Sequence, residues 1–314
     1  MTTLTNLNPS TKKATHTKAL IALGMVCFLW GTTWIASRQG VRHMPAWQLA
    51  GTRQMIGGLL YLIYFIAIRH PFPKGKEWRT IIILSALNFF LTNGLSTWGV
   101  KYISAGLGAI IAATFPLWIV VINLFTSKTK IPVKALTGLL LGFAGVCIIF
   151  YDHLHDFLNA EFRNGIIISL AAAWTWALGT MYTKKQAASF NPYFSLGLQM
   201  LISGLVTTII SQASGNSIPF TEIPWQSWTA IAYLATFGSV ISFIAYLYAL
   251  QHLHIELASI YAYINPVVAV LLGSLLFDEK LSVTIAAGGA VTLWGVYLIN
   301  KVYRKTYQEE GTEV

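Results

Sequence analysis

The chain has 314 residues, 55% of them hydrophobic and 10% charged, with a mean hydropathy of +0.60. A soluble domain carries about 25% charged residues, so the composition excludes an ordinary soluble fold and leaves a polytopic membrane protein. The net charge of +10 does not point to nucleic acid, because the basic residues sit in short loops between apolar runs, where they read as topology signals.

A bilayer span needs roughly 20 apolar residues. In chain order the qualifying runs are 19–38, 47–68, 79–99, 104–125, 133–151, 164–183, 192–211, 228–249, 257–277 and 281–300, ten in all. Residues 1–18 read as a polar tail, with Lys12, Lys13 and Lys18. The first run lacks a small-residue cleavage site followed by a soluble domain, so it reads as a span and not as a signal peptide. The longest connections, 69–78, 152–163 and 212–227, carry loop signals: His70-Pro71-Phe72-Pro73, Asp152-His153, and Gly215-Asn216 with Pro219 and Pro224. Residues 301–314 form a second polar tail. Cys27 and Cys147 fall inside apolar runs and read as small buried hydrophobes, with no disulfide framework and no metal site.

Placing the N-terminus inside puts Lys12, Lys13, Lys18, Arg69, Lys74, Lys76, Arg79, Lys128, Lys130, Lys134, Lys184, Lys185, Lys301, Arg304 and Lys305 on the inner side. The outer loops then hold Arg38, Arg42, Lys101, Arg163 and Lys280. Positive residues favour the cytoplasmic face, so both termini are expected in the cytoplasm of a cell (inner or plasma) membrane protein.

The sequence repeats. Residues 100–149 align without gaps on 250–299 at an offset of 150, matching Pro116 to Pro266, Gly138 to Gly288 and Gly145 to Gly295. Earlier in each half the offset is 146, matching Trp30 to Trp176, Arg38 to Lys184 and Gly58 to Gly204. The repeats are therefore 19–151 and 164–300, joined by the outer loop 152–163. Five spans per repeat is an odd number, so the second copy enters the membrane from the opposite face. The expected fold is an all-α integral membrane protein of ten transmembrane helices in two inverted five-helix repeats. That architecture, with a broken helix in each half, is one used for alternating access. Pro116 and Pro266 each interrupt an apolar run, and freed backbone groups in lipid need protein or a wet cavity to satisfy them. They read either as a matched pair of hinges at a transport site or as packing kinks.

Several side chains are candidates for a cavity. Arg53 is the strongly charged residue well inside a span. It reads as an anion-binding group, or as a residue that snorkels or caps carbonyls. Ser85, Asn88, Thr92 and Ser96 lie at spacings of three and four on the third span, and Ser239, Ser242 and Tyr246 on the eighth. These stripes read as cavity lining or as glue between helices. Trp30, Thr33, Trp34 and Ser37 share a face of the first span, and Trp176, Gly179, Thr180 and Thr183 a face of the sixth. A deep indole with a free N–H suits an amphipathic or aromatic ligand, and it can also be simple packing. Tyr261, Tyr263 and Asn265 occur in the second half alone, so hydrogen bonding to a ligand is expected mostly from that half. Gly138, Gly142, Gly288, Gly289 and Gly295 read as close-packing positions that brace the halves or form a homodimer contact. No carboxylate or histidine lies at mid-membrane, so no obvious coupling group is seen; Glu256 and Glu279, at the ends of the ninth span, are the fallback.

Together, Trp30-Gly31-Thr32-Thr33-Trp34, the run Ala258 to Pro266 and Phe277-Asp278-Glu279-Lys280-Leu281 resemble the drug/metabolite transporter superfamily, EamA branch. The resemblance covers roughly residues 19–300 and departs at Lys128-Thr129-Lys130, where a Glu turn is usual. It implies a carrier that exports or exchanges a small metabolite, often an amino acid, with membrane lipid as its other partner and no cofactor. Two other readings share some of the pattern. A lipid or lipid-linked metabolite translocase would have the same fold. An intramembrane lipid-modifying enzyme would need Asp152 and Asp156, which read better as a solvated loop. The chain is therefore read as a transporter and not as an enzyme.

Overall fold

The computed structural model describes residues 9–126, 133–151, 158–186, 190–253, 261–279 and 282–310. Among the described residues there is no strand. Ten helical spans follow one another: α1 (Pro9–Val41), α2 (Ala46–Ala67), α3 (Lys76–Gly99), α4 in two segments (Ala105–Ala112 and Phe115–Thr126), α5 (Val133–Tyr151), α6 (Ala160–Gln186), α7 (Pro192–Ala213), α8 (225–252), α9 (Tyr261–Phe277) and α10 (Val283–Glu310). Six of them (α1, α2, α3, α6, α7 and α8) are long and apolar enough to cross a bilayer, and α4, α5, α9 and α10 hold shorter apolar stretches.

Polarity is arranged for lipid. Ile63 is 63% exposed and Leu275 75%, whereas Gln48, Thr52, Gln54, Ser203 and Thr207 are buried. A soluble monomer rarely exposes so large an apolar surface. Cys147, expected to be buried, is on this outer surface, and Cys27 is inside. Helix also extends into both polar tails. α1 begins at Pro9 and α10 continues to Glu310. Proline suits a first helical position, and the Lys, Gln and Glu residues beyond each apolar run are adequate helix formers. The helices therefore run on past the apolar region.

Equivalent helices face each other. α2 packs along α7 and α5 along α10, while α1 lies against α8 and α9 just as α6 lies against α3 and α4. The glycines show the direction. Along α2, Gly51 meets Thr208, Gly58 meets Leu201, and Tyr61 meets Gly197 on α7, so the two helices are antiparallel. A Cβ on Gly58 would stand 2.5 Å from the Leu201 nitrogen, and one on Gly204 2.5 Å from the Met55 nitrogen. These are the same contact made once from each half, at the offset of 146. In α5·α10 a Cβ on Gly145 would stand 2.4 Å from the Thr292 nitrogen, and one on Gly295 2.4 Å from the Gly142 nitrogen. That is again one contact made twice, at the offset of 150. The Thr292 hydroxyl donates to the Gly142 carbonyl at 3.4 Å; these two residues are each other's equivalents, so the dyad passes between them. The two five-helix repeats are thus inverted, and the α5 and α10 glycines brace them to one another.

The two proline helices differ. In α4 the chain breaks at Ala113–Thr114, where the Thr114 amide donates to the Ile111 carbonyl at 3.0 Å in a tightened turn. Pro116 follows at the second residue of the next segment, where its missing N–H is not required. α9 instead runs unbroken through Pro266. α1 holds it closely there: a Cβ on Gly31 would stand 2.6 Å from the Val268 Cβ.

Candidate functional site

Between the halves lies a cavity of about 170 Å³ walled by α1, α2, α3, α4, α6, α8 and α9. Its wall takes equivalent positions from both repeats: Trp30 with Trp176, Ala112 with Ala262, Phe115 with Asn265, Phe89 with Ser239, and Asn93 with Phe243. The last two pairs exchange a polar group for an aromatic one across the dyad.

The positions on α3 and α8 follow from an unusual helix geometry. Ser85–Asn93 in α3 and Leu234–Ile241 in α8 are π-helical. Their wider turns, which bond i to i+5, leave carbonyls that nearby side chains take up. Thr92 donates to the Leu87 carbonyl at 2.8 Å, and its equivalent Ser242 donates to the Phe237 carbonyl. The Asn93 amide nitrogen donates to the Asn88 carbonyl at 2.9 Å. The wider turn also moves the register. The spacing of three and four predicted a cavity face of Ser85, Asn88, Thr92 and Ser96; the face observed is Phe89, Thr92, Asn93 and Ser96. Ser85 is turned to α7, donating to the Gln199 carbonyl at 2.8 Å. Asn88 is packed so closely against α6 that a Cβ on Gly179 would lie 1.8 Å from its Oδ1. On α8 the cavity receives Gly238, Ser239 and Phe243, while Ser242 is fully buried and Tyr246 stands behind Trp30.

Of the other predicted residues, Trp30, Thr33, Trp34, Arg53, Trp176, Tyr261, Asn265 and Pro266 reach the cavity, and Thr180 is outside its wall. The side chains of Tyr263 and Pro116 lie outside the described residues, as do Asp152, Asp156 and Glu256. Three polar lining residues that the sequence reading passed over are Gln54, Asn93 and Ser169. Asn93 is brought in by the π segment, which the residue spacing does not show, and Ser169, between Ile168 and Leu170, gave no signal.

Trp30 has no free N–H. Its Nε1 donates to the Gly238 carbonyl at 3.2 Å, within the α8 π segment. Its ring sits 5.0 Å from Phe243, 5.0 Å from Tyr246 and 4.9 Å from Tyr261. Behind these rings, Leu23, Val26, Cys27, Ala245, Ala249 and Leu253 form a buried cluster. This closes the end of the cavity nearer the start of α1. The symmetric positions at the other end, Trp176, Asn93, Ser96 and Ile111, make no such aromatic plug. Asn265 also turns inward. With its amide oriented to suit its neighbours, the nitrogen donates to the Tyr261 carbonyl at 3.1 Å and to the Cys27 carbonyl at 2.8 Å, tying α9 to α1.

Unpartnered polar atoms on lining residues come from both halves, from Arg53 and Gln54 on α2 and from Ser169 on α6. Arg53 is only 6% exposed and lines the cavity. One of its terminal nitrogens donates to the Asn93 Oδ1, and its Nε has no partner. Gln54 donates to the Phe89 carbonyl at 3.1 Å while its own oxygen is unpartnered, as is the Ser169 hydroxyl. Buried polar groups are nearly always paired; the Arg53 and Gln54 orphans are neighbours on α2, while the Ser169 hydroxyl faces Gly99 of α3. Glu279, by contrast, is occupied: its two oxygens accept from the Ala105 amide at 2.9 Å and the Gly106 amide at 3.4 Å, capping α4. The Arg38 guanidinium nearby donates to the Lys101 carbonyl at 2.8 Å and to the Val100 carbonyl.

Comparison with known proteins agrees with this architecture. The EamA-like transporter family model matches residues 17–151 and again 163–301. The chain is 31% identical over 265 residues to the Uncharacterized inner membrane transporter YedA of Escherichia coli strain K12, covering 83% of each protein. It is 26% identical over 291 residues to the Uncharacterized transporter YvbV of Bacillus subtilis, covering 92% of this chain and 93% of that one. The WAT1-related protein At3g02690, chloroplastic, of Arabidopsis thaliana is 26% identical over 279 residues, 87% of this chain and 67% of the relative. A solved crystal structure superposes with a TM-score of 0.63 over 91% of this chain and 98% of that one, at 16% identity, which speaks to the fold alone. With both halves matched and the fold shared, the chain belongs to the EamA-like transporter family, part of the drug/metabolite transporter superfamily, and is a membrane transporter.

Proposed function

We propose that this chain carries a small amphipathic metabolite, an amino acid or a close relative, outward or in exchange, by alternating access between its two repeats. The observation that supports it is a cavity built from equivalent positions of two inverted halves. In such a design, exchanging the conformations of the halves exchanges the open and closed ends. The aromatic group of Trp30, Phe243, Tyr246 and Tyr261 is the closed end in this conformation. The α4 break before Pro116 and the passage of α9 through Pro266, which lacks an N–H for the helix, serve as hinges. The Lys and Arg distribution favours cytoplasmic termini in an inner or plasma membrane.

The test is counterflow. Purified protein in liposomes preloaded with an amino acid panel takes up the labelled counterpart of its substrate, and Trp176→Ala slows that uptake while the protein still assembles. Liposomes that exchange no amino acid or related compound, with protein shown to be folded and inserted, remove the reading.

A further inference from the structure

The cavity holds a buried cation and, among the described residues, no carboxylate opposite it. Arg53 offers five N–H donors. The Asn93 oxygen takes one, and the Nε is unpartnered. A buried charge is retained where it pairs or where a ligand completes it. Further along, the lining is aromatic and small: Trp30, Trp176, Phe89 and Phe243 with alanines of α4 and α6. One cation in an otherwise uncharged wall, polar beside Arg53 (Gln54, Thr92, Asn93, Ser96) and aromatic further along, matches a monoanion with an apolar body. It matches poorly a dianion such as a phosphate ester, for which no second cation lines the cavity. An ammonium group finds no carboxylate in that wall.

We infer that the transported ligand is a small organic monocarboxylate whose carboxylate pairs with Arg53 beside Asn93, while its apolar tail lies against Trp30, Trp176 and Phe243. The inference rests on the carrier reading and sharpens it: the acid group is recognised and an amino group is dispensable. The planar guanidinium suits a carboxylate in two-point contact.

The experiment uses the full chain, in detergent for thermal stabilisation and in liposomes for counterflow. The probes are hexanoate, 3-phenylpropanoate and L-phenylalanine, each beside its carboxamide, and hexylamine and phenethylamine. At least one acid stabilises the protein and is exchanged, and its amide and the amines are not. Arg53→Gln weakens the acid's half-saturation by roughly thirtyfold or more. Asn93→Asp is the second variant. It puts a carboxylate against the guanidinium from within, so it keeps or raises the melting temperature of the ligand-free protein and no longer binds the acid. Amides or amines that work as well as the acids, or an Asn93→Asp protein that folds and binds the acid at native affinity, overturn the inference and leave the carrier intact. A native protein that exchanges none of the probes overturns the inference and, with the amino acid panel also negative, the carrier reading too.

Discussion

The α2·α7 and α5·α10 seams and the cavity between them are built on opposite rules. At the seams backbone meets backbone: the glycines leave no room for a Cβ, the Gly58/Gly204 and Gly145/Gly295 contacts are each made once from either half, and small residues let helices approach in lipid. In the cavity wall large rings and alanines leave space, and Arg53, Gln54 and Ser169 keep unpartnered atoms. The seams keep the symmetry of the repeat and the cavity departs from it. A carrier needs both. The frame must hold two halves in register, and the site must distinguish one end of a ligand from the other.

Substitutions can break that division. Gly145→Val comes first in size. Its side chain would enter the Thr292 backbone, so the seam must open, at a cost of more than about 3 kcal/mol, read as the thermal midpoint in detergent. A variant that unfolds at the native temperature would mean that the seam is not close-packed. Arg53→Gln is next and has the reverse signature: about 2 kcal/mol in ligand binding, with a smaller shift in midpoint. Equal losses in both would make Arg53 part of the frame. Gln48→Leu tests the connection between α7 and α8. The buried Gln48 amide donates to the Ile218 carbonyl at 2.7 Å and accepts from its nitrogen at 3.0 Å. Its loss orphans two backbone groups, at about 2 kcal/mol of stability, with half-saturation for the transported solute unchanged. Trp30→Phe leaves the ring packing and strands the Gly238 carbonyl, costing about 1 kcal/mol and leaving counterflow measurable. Tyr246→Phe should do least, since the ring stands behind Trp30 and outside the cavity wall; a change in half-saturation beyond about twofold, under 0.5 kcal/mol, would bring it into the site.

The frame was the legible part. Apolar runs of span length, the Lys and Arg bias and the two offsets were all visible as counts and spacings, and Gly58 with Gly204 and Gly145 with Gly295 were matched before their contacts were known. The cavity was read less well, because its geometry rests on departures from regular helix. A spacing of three and four on α3 assumed an α-helix. The π segment turned Asn88 away and brought Asn93 in, and in α8 the expected Ser239 stays on the wall while Phe243 stands there instead of Ser242 and Tyr246. Trp30 and Asn265 line the cavity, but their donors serve the Gly238, Tyr261 and Cys27 carbonyls. A residue type alone does not tell a ligand-facing donor from one that repairs the backbone.

The Gly142–Thr292 contact on the dyad also speaks to descent. Two separate identical chains meeting on a two-fold axis must offer the same residue from each side, so a glycine facing a threonine at equivalent positions requires halves that have drifted apart within one gene. The same freedom put Asn93 opposite Phe243 and Phe89 opposite Ser239. In the alternating-access cycle proposed above the drift has a kinetic result: the two mouths of the site are chemically different, so a solute with a head and a tail, as inferred for Arg53, meets the head-binding side first from one compartment and last from the other. Entry rates from the two faces then differ even when no gradient favours either, which a perfectly symmetric ancestor could not achieve.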